Sequence, residues 1–188
     1  HSKKKIKLIG DKSLSKRDFL RVTEPLERIG AKFDTNSGKL PIIIKGTKFP
    51  KSIKYSETKG SAQCKSSVML AALNIKGQTV IKAKKSRDHT ELLFKYLKLP
   101  IKIIKKRNFD LIKIRGKNKI KPLNYKIPAD ISSSSFFLAL TVLSKNSKLK
   151  IKNININPSR TGILKILKMM GIKIVLKNIK LYKGERIA

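Results

Sequence analysis

Hydrophobic positions along this chain follow two rhythms, and their alternation predicts its elements. Short apolar or alternating runs occur at Ile6 to Ile9, Leu40 to Lys45, Ile53 to Tyr55, Thr79 to Ile81, Leu111 to Arg115 and Leu149 to Ile151. Runs of this length and composition predict strands with one face toward a core. Between them lie stretches with helical spacing. Thr90 to Ile103 aligns without a gap on Thr161 to Ile174, and Leu26 to Phe33 shares the Leu-x3-Gly-x-Lys-apolar close of Leu167 to Ile174. Each copy reads as an amphipathic helix ended by glycine (Pro100 in the middle copy), followed by a strand of alternating apolar and lysine residues.

Two further segments, 61–75 and 132–143, are serine-led and apolar nearly all round. Such helices are expected inside a cluster of elements, not on its surface. The order helix, strand, helix, strand predicts an α/β (α+β) layered fold built from repeated units. A lysine-rich extended segment meets the second serine-led helix at Ile127-Pro128-Ala129-Asp130, where a domain hinge is expected. The 188 residues suffice for one good-sized domain or two small ones.

Charge complicates the picture. The net charge is +35 and the isoelectric point near 10.5, a balance that raises nucleic acid or acidic membranes as partners. The distribution argues against both. Only eight of the 46 basic residues are arginine, lysines occur in nearly every segment, aromatics make up 6% and tryptophan is absent. Nucleic-acid surfaces favour localised patches, arginine forks and interleaved aromatics, so a solvated lysine surface is expected. No apolar run approaches the ~20 residues of a membrane span. The basic start, His1 to Lys5, leads straight into a strand pattern, so no signal peptide is expected. A single cysteine, Cys64, excludes an internal disulfide and suits a reducing cytoplasm.

The candidate chemistry sits at two helix starts. Ser61-Ala62-Gln63-Cys64-Lys65-Ser66 places small hydroxyl and amide groups at the first turn of an apolar helix. Ser86-Arg87-Asp88-His89-Thr90-Glu91 opens another. Free N–H groups and the positive end of the helix dipole suit an anion. Two such starts, one carrying Arg87, are expected to grip one phosphorylated small molecule. Ser61 would cap its helix in any case. Arg87 is poorly placed at a helix N-terminus without an anion. Lys65 is a weaker candidate, His89 reads as a helix-start residue, Cys64 as a small buried apolar residue, Arg160 as a structural cap, and Met169 and Met170 as core fillers.

At these residues the chain resembles the 5-enolpyruvylshikimate-3-phosphate synthases, and within them the glyphosate-tolerant bacterial branch. The likeness is carried by Gly10 to Arg17, Pro25-Leu26 through Gly30-Ala31, Ser61 to Ser66, Ser86 to Glu91, Ile127 to Ser133 and Asn157 to Gly162. The resemblance implies two globular domains built from repeated βαβαββ units. Residues 1–126 would be the later part of the N-terminal domain and 127–188 the start of the C-terminal one. It also implies an internal fragment, inactive alone. The family's lysine-serine-arginine motif and Asn-Ala-Gly-Thr loop would lie upstream; its catalytic aspartate and later basic motifs would lie downstream. No catalytic residue is then expected within the chain.

The implied reaction moves the enolpyruvyl group of phosphoenolpyruvate to the 5-hydroxyl of shikimate 3-phosphate. The enol carbon is protonated, the hydroxyl attacks, and a tetrahedral intermediate expels phosphate, with no metal or organic cofactor. Both substrates are polyanions, so fixed positive donors are needed. By resemblance Arg17 contacts phosphoenolpyruvate, while Ser61, Ala62, Gln63 and Arg87 bind shikimate 3-phosphate, Gln63 also reaching phosphoenolpyruvate. Asp18 stands where the family usually has proline and could compete for Arg17. The implied partners are the two substrates, without nucleic acid or membrane, for a cytoplasmic protein that is a monomer at full length. Two alternatives stay open: an RNA-binding or RNA-end-processing protein of similar repeated architecture, and a UDP-N-acetylglucosamine 1-carboxyvinyltransferase. The Ser-Ala-Gln and Ser-Arg-Asp-His-Thr-Glu pair disfavours the second.

Overall fold

In the computed structural model, which describes residues 4–116 and 120–188, the chain divides into two units. The first holds His1–Ser86 and Lys98–Ile120, the second Arg87–Leu97 and Lys121–Ala188. Residues His1 to Lys3 of the basic start lie outside the described residues.

The first unit opens with β1 (Lys5–Leu8), a 3-10 turn at Leu14–Lys16, α1 (Leu20–Ile29), β2 (Lys32–Asn36) and β3 (Lys39–Lys45). The expected glycine stop is present: Gly30 has φ +116°, donates to the Glu27 carbonyl at 2.8 Å, and Ala31 donates to Leu26 at 3.1 Å. A Cβ-free residue meets this left-handed conformation at low cost. β3 then pairs antiparallel with both β1 and β2.

β4 (Lys54–Glu57), α2 (Ala62–Ala72) and β5 (Gln78–Lys84) form a parallel crossover. Here the chain leaves for α3 (His89–Tyr96) of the second unit and returns in β6 (Ile101–Lys105) and β7 (Phe109–Arg115), giving a four-stranded sheet in the order β4-β5-β7-β6. Its alternation is sharp. Thr79, Ile81 and Ala83 of β5 pair in register with Ile114, Ile112 and Asp110 of β7, and all six are buried. α2 packs on β5 and β7 through a face that includes Cys64, Val68, Met69 and Ala72, none more than 1% exposed. The expectation that this helix lies inside holds for that face.

In the second unit, α3 is followed by an extended segment, α4 (Ile131–Leu143), α5 (Gly162–Met169) and the hairpin β8 (Lys180–Tyr182) with β9 (Glu185–Ile187). Its core is Ile131, Ile154, Ile156 and Leu164, with Leu138, Ile151, Ile163 and Ile174 packed around them. Single bridges join Ala129 to Ile154 and Asn155 to Ile187.

Three expectations fail in this unit. The segments 149–151 and 172–174 are not strands, because no neighbour within the unit offers a ladder. α4 is not enclosed: Phe136, Phe137, Leu140 and Leu143 are 63–84% exposed. Met169 and Met170 are not core fillers but are 87% and 64% exposed. The physical reason is shared: α4 and α5 meet the core of the unit only through the faces bearing Ile131, Ser134, Leu138, Leu164 and Leu167, and no sheet lies beneath the rest.

Candidate functional site

The start of α2 is built from the residues before it. Glu57, at the end of β4, accepts the N–H groups of Lys59 at 3.0 Å and Gly60 at 2.9 Å, fixing the turn that delivers Ser61. Ser61 is extended (φ −88°, ψ 108°) and its hydroxyl accepts the Cys64 N–H at 3.3 Å, so the expected cap forms. Ala62 and Gln63 then carry first-turn N–H groups that have no acceptor within the helix. The Gln63 side chain is exposed, and its amide oxygen accepts from Arg21 Nη2 at 3.3 Å. Sequence reasoning did not single out Arg21. Its signal was a second arginine four positions after Arg17, at the start of α1.

Arg17 follows the 3-10 turn, donates its N–H to the Leu14 carbonyl at 3.0 Å and holds its side chain in solvent. The turn is stapled by Asp11, whose carboxylate accepts the Leu14 N–H at 2.7 Å. Asp18 accepts the Leu20 N–H at 2.8 Å and so opens α1.

Arg17, Ser61, Ala62 and Gln63 therefore share the first unit, in which α1 and α2 pack together. Arg87 belongs to the second unit. Cys64 is buried, as expected for a small apolar residue. Lys65, expected as a weak anion ligand, is only 1% exposed, which removes its ammonium from solvent. Tyr55 of β4 titrates late, pushed up to about 12 by burial and then by the neighbouring Cys64, Glu57 and Glu24.

In the second unit, Arg87 is exposed one residue before Asp88, the N-cap position of α3. His89 Nδ1 lies 2.5 Å from Glu185 Oε1. Asp130 caps α4 by accepting from the N–H groups of Ser132 and Ser133 at 3.1 and 3.3 Å. Arg160 pairs with Asp130 at 2.7 Å and also donates to the Ser132 hydroxyl, so instead of capping the helix that follows it, it braces the start of α4. Burial raises the Asp130 carboxyl, but the Ser132 N–H, the Ser133 hydroxyl and Arg160 together bring it below its ordinary value. A cavity of about 310 Å³ is lined by His89, Thr90, Tyr125, Asp130, Arg160 and Glu185, among others. The Ser86 hydroxyl, next to Arg87 in sequence, is buried with no hydrogen-bond partner among the described residues.

This architecture is that of the enolpyruvyl transferases. The crystal structure of the enolpyruvyl transferase NikO from Streptomyces tendae superposes with a TM-score of 0.63 at 13% identity, over 93% of this chain and 42% of that one, a likeness of fold alone. EPSP synthase from Acinetobacter baumannii superposes with a TM-score of 0.80 at 34% identity, over 98% of this chain and 41% of that one. The sequence model of the EPSP synthase family (3-phosphoshikimate 1-carboxyvinyltransferase) matches residues 1–185, and the chain belongs to that family. Relatives bearing the name 3-phosphoshikimate 1-carboxyvinyltransferase include those of Caldicellulosiruptor saccharolyticus and Petrotoga mobilis. Each is 42% identical, over 96% of this chain and 42% of its own length. The chain thus spans less than half the length of the relatives it matches. No described helix is long and apolar enough to cross a membrane.

Proposed function

We propose that this chain contributes substrate-binding residues to a 3-phosphoshikimate 1-carboxyvinyltransferase, which transfers the enolpyruvyl group of phosphoenolpyruvate to shikimate 3-phosphate and releases phosphate. The reaction belongs to the shikimate pathway toward chorismate and the aromatic amino acids. The observation that carries the reading is the built start of α2, where a capped Ser61, the first-turn N–H groups and an exposed Gln63 offer only donors and amide oxygen, in a chain matched by the family over residues 1–185. A phosphate at a helix start is held by such donors.

In this reading Ser61, Ala62 and Gln63 bind shikimate 3-phosphate, Gln63 also touches phosphoenolpyruvate, and Arg17 binds phosphoenolpyruvate with its planar fork. Arg87 supplies the counter-charge for the phosphate of shikimate 3-phosphate. Residues 1–126 form the later part of the N-terminal domain and 127–188 the opening of the C-terminal one. The protein works in the cytoplasm as a monomer and without nucleic acid; its lysines are a solvated surface.

Arg87→Ala in the full-length gene product tests the assignment. Calorimetric titration with shikimate 3-phosphate should show affinity weakened by about 100-fold, the loss expected when one partner of a hydrogen-bonded charge pair is truncated. Unaltered affinity in a folded variant would remove the phosphate assignment.

A further inference from the structure

The start of α3 is held by a polar cluster for which the reading above has no use. Gly184, at the tip of the β8–β9 hairpin, has φ +92°, and a Cβ on it would lie 2.8 Å from the Leu92 carbonyl oxygen and 3.3 Å from Tyr96 Cβ. Only glycine allows this approach. It brings the next residue, Glu185, against the helix. The Glu185 side chain is 7% exposed, with Oε1 on His89 Nδ1 at 2.5 Å and Oε2 accepting the side-chain amides of Asn155 at 3.0 Å and Asn157 at 3.5 Å. Asn157 is buried and its amide also donates to Asp88 Oδ1 at 2.8 Å. Its carbonyl oxygen accepts both the N–H and the hydroxyl of Ser159, at 2.9 and 2.7 Å, so its orientation is set.

Asp88 occupies the N-cap position of α3 yet makes no side-chain cap bond. An N-cap carboxylate ordinarily serves the helix's own first-turn N–H groups. Here it faces Asn157 instead. Local helix stability has been given up for a tertiary contact. Two consecutive residues, Asp88 and His89, are thereby pinned at their side chains to groups 69 and 96 positions away in sequence. The residue immediately before them is Arg87.

We propose that Glu185 and Asn157 are positioning residues: they pin Asp88 and His89 and so hold the α3 start in the orientation that presents Arg87 to the substrate's phosphate. This rests on the phosphate role given to Arg87 above. The burial of Glu185 and Asn157 supports it, because hydrogen bonds in a low-dielectric interior are electrostatically stronger than exposed ones.

The test is a double-mutant cycle in the full-length gene product, read as affinity for shikimate 3-phosphate and as steady-state kinetics. Glu185→Gln should weaken binding about tenfold, as expected for hydrogen bonds to a charged group. The loss should fall on KM with kcat nearly unchanged, since the 3-phosphate is remote from the reacting 5-hydroxyl. On an Arg87→Ala background the same change should have almost no further effect, because residues acting through one another are not additive. If Glu185→Gln fails to fold, His89→Asn takes its place in the cycle, His89 being 39% exposed at its side chain. Wild-type affinity in either folded variant, or an equal loss with and without Arg87, overturns the positioning role. Wild-type affinity in Arg87→Ala alone is a separate result, and strikes the phosphate assignment itself.

Discussion

α2 and α4 are alike in sequence and opposite in environment. Both are led by serines, both are apolar nearly all round, and both begin on an oxygen cap, Ser61 in one and Asp130 in the other. α2 lies on β5 and β7 and hides Val68 and Met69 completely. α4 has no sheet beneath it within its unit and leaves Phe136 at 78% and Leu143 at 84% exposure. The comparison teaches that an all-round apolar helix reports what a fold must cover, while coverage itself depends on a second element being supplied. It also separates the two units energetically. The first is held by an apolar sheet core, the second by a smaller isoleucine cluster reinforced by buried polar bonds.

That contrast can be broken by substitution. Ile112, fully buried in β7 opposite Ile81, should be costly to truncate: Ile112→Ala should lower the unfolding free energy of the first unit by about 3 to 4 kcal/mol in urea titration, the range for large-to-small changes in a packed core. A loss under 1 kcal/mol would mean the sheet core is not what holds that unit.

The two units should also fail at opposite ends of the pH scale. Burial pushes the Glu185 carboxyl up, but bonds from His89, Asn155 and Asn157 and the charge of His89 outweigh it and bring it below its ordinary value near 4.5. A depressed carboxylate contributes stability that is present above pH 4.5 and lost as pH falls through the folded value, so acid should loosen the second unit first. Tyr55 behaves inversely. Its hydroxyl is raised from 10.0 to about 12, so its contribution is complete below pH 10 and lost as pH climbs toward 12, in the first unit. Amide exchange followed by residue across pH would show the order, and simultaneous loosening of both units in acid would contradict it.

The smallest effect is expected on the uncovered helix. Phe137→Ser removes a ring that is 63% exposed and should shift unfolding by no more than about 0.5 kcal/mol, as exposed substitutions do, while improving solubility. A loss of 2 kcal/mol or more would show that this face is covered in solution.

Much of the first unit was legible from residue order. The strands at Leu40 to Lys45 and Leu111 to Arg115, the glycine stop at Gly30 and the cap at Ser61 all follow from local chemistry, and the structure has each of them. The second unit is less legible, because Leu149 to Ile151 has a strand's pattern without a strand's neighbour, and Met169-Met170 has a core composition without a core above it. The Arg21–Gln63 bond and the Glu185–His89–Asn157–Asp88 cluster are invisible for a different reason: the bonds join residues 28 to 96 positions apart, and no local period links them.

Sequence alone determined the family, the α/β class, the serine cap of α2 and the glycine stop of α1, since capping, periodicity and glycine conformation act over a few residues. Only tertiary structure decided which apolar faces are enclosed, which arginine meets Gln63, and that a glutamate near the end of the chain fixes a histidine in α3. Those outcomes depend on long-range burial and on polar groups finding partners away from water, and neither is written in neighbouring residues.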